Sequence, residues 1–93
     1  MIQLKKNIKI RNEEGFFLVV NLTTEDMLNG YPAFFQTNRL GKIILDLLAE
    51  PTTIDNITKQ IVESYPSVEQ DKIVEHAIRF VETLSKYSLI TEL

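Results

Sequence analysis

Residues 2–11 show the alternation of apolar and polar positions that is typical of β-strands. The apolar positions are Ile2, Leu4, Ile8 and Ile10, and most residues between them are basic or amides. One half-buried strand with a basic outer row is therefore predicted, frayed near Lys6, which interrupts the apolar row. The turn at 13–15 and the apolar run at 16–20 predict a second strand, paired with the first as an antiparallel hairpin.

Two later segments carry apolar residues at the spacing of amphipathic helices. The first follows Asn38, whose side chain can cap free amides, and stops before Pro51. Its apolar stripe is Leu40, Ile43, Ile44, Leu47 and Leu48. The second is predicted to start with a capping box formed by Thr52 and Asp55. Its inner face is predicted to be Ile54, Ile57, Ile61 and Tyr65.

A third and longest helix is predicted from about Val68 to Tyr87, after a capping box formed by Ser67 and Gln70. Its inner stripe is Ile73, Ala77, Phe80, Val81 and Leu84, widened on one flank by Val74 and Ile78. The chain then closes with residues 89–93 as an extended tail.

Residues 21–32 lack periodicity and are predicted to form a loop, followed by a short third strand at 33–37. Strands grouped before helices indicate an α+β fold. We expect a winged-helix-like arrangement of three N-terminal antiparallel β-strands followed by three α-helices, with residues 1–93 as a single domain.

Composition narrows the function. The 93 residues contain no cysteine, so thiolate ligands and disulfides are excluded, and no apolar run is long enough for a membrane span. The N-terminus lacks the apolar run of a signal peptide, and a cytoplasmic protein is the simplest interpretation. A net charge of −3 disfavours a protein that binds nucleic-acid phosphates.

No residue set predicts catalysis, a cofactor site or a metal site. His76, the one histidine, is predicted to be a half-buried structural residue on the third helix. Catalysis would instead need a nucleophile or an orienting carboxylate within hydrogen-bond reach of it, and Asp71 and Glu75 complete no recognisable motif. The glycines are isolated, which excludes a phosphate-binding loop. We therefore predict a protein that is not an enzyme.

The third helix offers two features for binding. Lys72, Arg79 and Lys86 recur every seven residues, either as solvated charge supported by Glu75–Arg79 and Glu82–Lys86 pairs, or as a cationic edge for an acidic partner. Its apolar stripe is wider than two short helices need for packing. The short third strand is suited to a sheet edge with unpaired backbone groups. A helix flank beside an open edge forms a groove for an extended peptide.

The sequence resembles the PqqD-like domain, which includes the peptide chaperone of pyrroloquinoline quinone biosynthesis and the related recognition elements for ribosomally made, modified peptides. The resemblance lies in residues 37–48 (Thr-Asn-Arg-Leu-Gly-Lys-Ile-Ile-Leu-Asp-Leu-Leu), 53–57 (Thr-Ile-Asp-Asn-Ile), 80–84 (Phe-Val-Glu-Thr-Leu) and the pair Leu89-Ile90. Gly41 within the first helix fits this family as a site of close packing. Ser88 departs from it, since a glycine often precedes the final Leu-Ile pair, and Ala49-Glu50 replaces an acidic-glycine turn.

The resemblance implies a protein that binds the leader of a precursor peptide as an added strand and presents it to a tailoring enzyme, such as a radical enzyme, a cyclase or a leader peptidase. Carried onto this chain, the peptide edge is Ala33, Phe34, Phe35 and Gln36. The groove wall is Ile73, Val74, Ala77 and Ile78, with Lys72 and Arg79 as acid-binding groups. We expect no membrane or nucleic-acid partner and a monomer or weak dimer.

Two alternatives stay open at this stage. The same helix pattern fits a winged-helix nucleic-acid-binding regulator, although the second helix offers only Asn56, Lys59 and Gln60 for base recognition, among Asp55 and Glu63. The other alternative is a structural adaptor that binds a folded protein.

Overall fold

The computed structural model describes residues 1–21 and 34–93. The described elements are, in order, β1 (Ile2–Leu4), β2 (Ile8–Glu13), β3 (Phe16–Asn21), β4 (Phe34–Thr37), α1 (Arg39–Leu47), α2 (Ile54–Ser64), α3 (Gln70–Lys86) and β5 (Ile90–Glu92). Antiparallel strands followed by three helices confirm the predicted α+β class. Most of the predicted loop at 21–32, and Ala33 of the predicted third strand, lie outside the described residues.

The N-terminal segment forms two strands, so the prediction of one continuous strand was wrong. β1 pairs antiparallel with β5, with Ile2 opposite Glu92 and Leu4 opposite Ile90. β2 pairs instead with β3. The chain changes partner at Lys5, whose N–H donates to the carbonyl of Leu89 over 3.0 Å. The predicted C-terminal tail is therefore a strand that closes onto the start of the chain.

The second sheet has the order β2-β3-β4, and all its pairings are antiparallel. The predicted hairpin is confirmed, with Glu13 opposite Phe16 across a two-residue loop. Gly15 in this loop has a φ of +87°, a left-handed conformation that glycine adopts without steric cost.

The helix starts are only partly as predicted. The Asn38 cap of α1 is confirmed, since its side chain accepts from the Gly41 N–H over 3.0 Å. α2 is capped by Thr53, which accepts from the Asn56 N–H over 3.1 Å. Thr52 is not the cap because its backbone is bonded to Ile2 in both directions, over 2.7 and 2.9 Å.

α3 begins at Gln70, two residues later than predicted, and its N-cap Glu69 makes no side-chain capping bond. The predicted capping box at Ser67 is wrong because this segment forms a turn, in which the Val68 N–H donates to the Tyr65 carbonyl over 3.1 Å.

The apolar rows of the three helices meet in one core with residues from both sheets. Its buried side chains are Ile8, Val19, Ile44, Leu45, Leu48, Ile57, Ile61, Ile73, Ala77, Val81, Leu84 and Leu89. Ile54 was predicted on the inner face of α2 but is 40% exposed, because it is the first residue of the helix and lies at the end of the packed row.

The end of α3 explains the departure at Ser88. The Leu89 N–H donates to the Leu84 carbonyl over 2.9 Å, and the Ser88 N–H donates to the Ser85 carbonyl over 3.0 Å. These two bonds form a Schellman motif, whose residue after the cap is left-handed and is usually glycine. Ser88 has a φ of +61° and accepts a hydrogen bond from Lys5 Nζ over 2.8 Å.

We predict that glycine is more stable than alanine at position 88 by about 1 kcal/mol, because both variants lose the hydroxyl and only alanine has a Cβ in the left-handed region. At Ser85, inside α3, the order should be reversed by about the same amount, since alanine has the higher helix propensity. Denaturant unfolding of Ser88→Gly, Ser88→Ala, Ser85→Gly and Ser85→Ala measures both differences. The same order at both sites would contradict this explanation.

Candidate functional site

The direction of the backbone groups in β4 follows from the hairpin loop between β2 and β3. A two-residue loop is closed by hydrogen bonds between the residues that flank it, here Glu13 and Phe16. Bonded and non-bonded pairs alternate along an antiparallel ladder. Because the register of β2 and β3 is continuous from this pair, Phe16 and Leu18 direct their backbone groups to β2, and Phe17 and Val19 direct theirs to β4.

In the described part of the chain, β3 is the one sheet neighbour of β4. Phe35 and Thr37 lie opposite Val19 and Phe17, so their N–H and C=O groups face β3. Phe34 and Gln36 therefore direct their N–H and C=O groups toward the open edge. Both side chains are also exposed, and that of Phe34 is 64% exposed. This edge presents two donors and two acceptors to an added strand.

One flank of α3 faces β4. The rings of Phe35 and Tyr87 lie 6.4 Å apart between their centroids, and further along the strand Gln36 and Thr37 line a pocket together with His76 and Phe80. His76, Phe80 and Tyr87 occur at the spacing of one helix row. The edge of β4 and this row are the two sides of a groove.

The pocket lies at the C-terminal end of β4 and has a volume of about 500 Å³. It is lined by Gly15, Phe16, Gln36, Thr37, Asn38, Leu40, Gly41, His76 and Phe80. None of these residues is an acid, a lysine or an arginine, and three are large and apolar. The pocket is therefore suited to an uncharged side chain.

The sequence-predicted site residues are distributed over several environments. Ala33 lies outside the described residues. Ile73 and Ala77 are buried in the core, beneath the groove. Val74 lines a different cleft, between α2 and α3, together with Val62 and Gln70. Ile78 lies one turn after Val74 and is half-buried on the same flank. The flank that faces β4 is therefore the opposite one.

Lys72 and Arg79 are each one helical turn from His76 and do not line the pocket. Both are exposed ion-pair partners: Lys72 Nζ is 3.7 Å from Glu69 Oε2, and Arg79 donates to Glu75 Oε1 over 2.6 Å. The predicted Glu75–Arg79 pair is confirmed, whereas the described residues show no ion pair between Glu82 and Lys86.

The prediction that His76 is half-buried was wrong, since the side chain is exposed at the pocket. His76 precedes the buried Ala77 by one residue and is therefore about 100° around the helix from it. This rotation puts His76 on the flank of α3 and not in the buried row. His76, Phe80 and Tyr87 were the groove residues missed from the sequence. Their helical spacing was visible, but it does not show which flank meets the strand edge.

Gly41 brings α1 close to β4 and α3. A Cβ at this position would overlap Thr37 Oγ1 and would lie 3.1 Å from Thr37 Cβ and 3.0 Å from Phe80 Cζ. Such contacts are tighter than packed side chains allow, so a larger residue would push these elements apart. Because Gly41, Thr37 and Phe80 all line the pocket, this close packing also sets its shape.

We predict that Gly41→Ala destabilises the protein by about 1–2 kcal/mol despite alanine's higher helix propensity, because overpacking costs about 1–3 kcal/mol. In a Thr37→Ala background the overlapping oxygen is absent, whereas the close contacts with the Cβ of residue 37 and with Phe80 Cζ remain, so the same substitution should cost clearly less. Denaturant unfolding of the four proteins of this cycle measures the coupling. Equal costs in both backgrounds would show that Thr37 does not limit the site.

Within residues 1–21 and 34–93, no three histidine or acidic side chains are grouped as a metal ion would require. No helix in these ranges has the length and apolar character needed to cross a membrane.

The chain is similar to known proteins in fold and in sequence pattern. Two solved structures share the fold: TbiB1 in complex with the TbiA(beta) leader peptide, with a TM-score of 0.72, 18% identity, and coverage of 98% of this chain and 96% of that chain; and lasso peptide synthetase B1 complexed with the leader peptide, with a TM-score of 0.69, 13% identity and 98% coverage of both chains. No curated protein gives a significant sequence match. The family model of coenzyme PQQ synthesis protein D (PqqD) matches residues 18–90, and the chain therefore belongs to the PqqD family.

Proposed function

We propose that this protein binds the leader of a ribosomally made precursor peptide as a strand added to β4 and presents that peptide to a tailoring enzyme. The observation that carries the proposal is the open edge of β4, where Phe34 and Gln36 direct their backbone groups beside the α3 flank. The two similar structures, both complexes with leader peptides, support it, and so does membership in the PqqD family.

In this proposal, the two sides of the groove have different roles. The β4 edge supplies main-chain hydrogen bonds, which give affinity with little dependence on the peptide sequence. Every second side chain of an added strand points toward α3, and the pocket at His76 and Phe80 accepts one uncharged side chain. Lys72 and Arg79 border the groove on its solvent side and interact with leader carboxylates.

The winged-helix nucleic-acid regulator is disfavoured by the side chains of α2. Asn56 Nδ2 already donates to Thr52 Oγ1 over 2.9 Å, and its backbone N–H is used by the Thr53 cap. Lys59 shares its cleft with Asp55 and Glu63. Acids beside the reading surface oppose binding to a phosphate backbone.

Salt dependence separates the two functions. We predict micromolar or tighter binding of the leader encoded beside this protein's gene, little changed between low and moderate salt, and negligible binding to duplex DNA. Titration calorimetry with the leader and gel shifts with DNA measure this. DNA binding that weakens steeply with salt, without leader binding, would overturn the proposal.

We further propose that the protein acts by binding rather than by catalysis, as a single domain that is monomeric or weakly dimeric, in the cytoplasm where precursor peptides are made. The tailoring enzyme is of the radical, cyclase or leader-peptidase class.

Proline substitutions test strand addition directly. Gln36→Pro removes an N–H from the open edge, so leader affinity should fall at least about tenfold with a small loss of stability. Phe35→Pro removes an N–H bonded to β3 and leaves the β3 carbonyl without its donor, so it should cost about 1–3 kcal/mol of folding free energy.

Gln36→Ala is the matched control for Gln36→Pro, because it removes the same side chain and keeps the N–H donor. It should bind the leader nearly as tightly as the parent. Calorimetry and thermal unfolding measure all three variants. A folded Gln36→Pro protein with parental affinity would show that the peptide does not pair with β4.

Charge reversal tests the cationic border. Lys72→Glu/Arg79→Glu should weaken leader binding by a few-fold per residue, because exposed ion pairs contribute about 0.2–1 kcal/mol each. The control Lys9→Glu/Lys59→Glu changes the net charge equally at exposed sites away from the groove, on β2 and α2. Calorimetry compares the two, with thermal midpoints checked. An equal loss in both would assign the effect to net charge and not to the groove.

A further inference from the structure

A second surface of the protein carries exposed apolar side chains. Five large hydrophobic side chains are exposed in the described ranges: Met1, Phe34, Ile54, Val68 and Leu93. Phe34 belongs to the groove edge. Met1 and Ile54 line one depression together with Ile2, and the Leu93 N–H donates to the Met1 carbonyl over 2.8 Å. Most of the remaining exposed apolar surface is therefore concentrated around the sheet of β1 and β5.

Two depressions join at this surface. One, of about 260 Å³, is lined by Met1, Ile2, Thr52, Thr53, Ile54 and Asp55. The other, of about 150 Å³, is lined by Ile2, Ile54, Val81, Glu82, Ser85, Ile90 and Glu92. Because Ile2 and Ile54 line both, they form one continuous area, which we call the β1–β5 patch. Each depression is smaller than a typical small-molecule pocket and has room for a protein side chain.

The rim of the β1–β5 patch is acidic. The charged side chains that line it are Asp55, Glu82 and Glu92, and no lining side chain is basic. Within the described residues, none of these three carboxylates belongs to an ion pair; the pairs formed there involve other acids. Glu82 in particular is without the Lys86 partner that its spacing predicts. These three carboxylates outnumber the one cation of the patch, the α-amino group of Met1, so the area keeps a net negative charge. It is therefore complementary to an apolar side chain flanked by cations.

The β1–β5 patch and the groove lie on different flanks of α3. Glu82 comes two residues after Phe80, which is about 200° around the helix. Ser85 lines the patch and follows Leu84 of the buried row, so it lies about 100° around the helix from that row. This rotation is in the direction away from His76 and Phe80, which line the pocket of the groove. A partner at the patch therefore leaves the β4 edge accessible.

We propose that the β1–β5 patch binds a second protein, through an apolar side chain that enters the depression at Ile54 and through lysine or arginine residues that contact Glu82, Glu92 and Asp55. An anionic partner such as nucleic acid is disfavoured by the same carboxylates. The inference does not depend on leader binding. If the leader does occupy the groove, this surface allows the partner protein to bind at the same time.

The experiment is an NMR titration of the ¹⁵N-labelled full chain with the blocked peptide Lys-Leu-Phe-Leu-Arg, compared with its acidic counterpart Glu-Leu-Phe-Leu-Asp. The basic peptide should shift the amides of Ile2, Ile54, Ser85 and Ile90, and moderate salt should weaken the effect. The acidic peptide should leave them unchanged, and neither should shift the amides of 34–37 selectively.

Matched charge variants make the test specific. Glu82→Lys/Glu92→Lys should weaken binding of the basic peptide about fivefold or more, whereas Glu50→Lys/Glu63→Lys, with the same net charge at exposed sites outside the patch, should change it less than about twofold. The spectra of the variants show whether each one is folded. The single variant Glu82→Lys lies on the surface of α3 and leaves β5 unchanged, and it should weaken binding of the basic peptide less than the double variant does.

Several results would overturn the proposal: equal shifts with both peptides, shifts spread over the surface or centred on β4, or equal losses in the two double variants. Sedimentation tests whether a second copy of this chain binds the patch. Self-association that the patch variants abolish and the control variants retain would assign the patch to a second copy of this chain, and would also overturn the proposal.

Discussion

The burial of one side of α3 determines which flank of this helix faces β4, which faces α2 and which faces the sheet of β1 and β5. Ile73, Ala77, Val81 and Leu84 are buried, and each contributes about 1.5–3 kcal/mol, less for alanine, when it is removed from water. A row of this kind fixes the rotation of the helix about its axis. With that rotation fixed, His76 and Phe80 face β4, Val74 faces α2, and Glu82 and Ser85 lie beside β1 and β5.

Backbone constraints at the two ends of the groove hold this arrangement in place. Gly41 admits the close contact of α1 with Thr37 and Phe80, which positions β4 against the helix at the pocket. At the other end, the Schellman motif at Ser88 turns the chain out of α3 into β5, and β5 then pairs with β1. The helix flank beside the β4 edge and the β1–β5 patch are therefore both consequences of how α3 packs and ends, whereas the edge itself follows from the register of β2, β3 and β4.

Sequence periodicity predicted the hairpin, the three helices and the Asn38 cap, because these depend on local chemistry and on apolar spacing. Apart from the Ser67 capping box, where a local turn forms instead, its failures among the elements concern partners that are distant in the chain. The break between β1 and β2 depends on pairing with β5, and Thr52 is replaced as a cap by Thr53 because Ile2 holds its backbone.

The groove shows the same limit. A sheet edge at the third strand was predicted from the strand's short length and position. Neither the outward direction of Phe34 and Gln36 nor the helix flank that faces the strand was predicted. A helical wheel defines two flanks of the buried row and gives no information about which of them meets β4. His76 was consequently interpreted as half-buried, and Tyr87 was not considered as part of the site.

The central claim is that a leader peptide pairs with the outward backbone groups of β4. Residue-resolved amide hydrogen exchange of the full chain, with and without the leader, tests it most directly. The account predicts that the peptide slows exchange at Phe34 and Gln36, whereas Phe35 and Thr37, already bonded to β3, change little. Protection by the leader that appears on α2 and leaves Phe34 and Gln36 unchanged would contradict it.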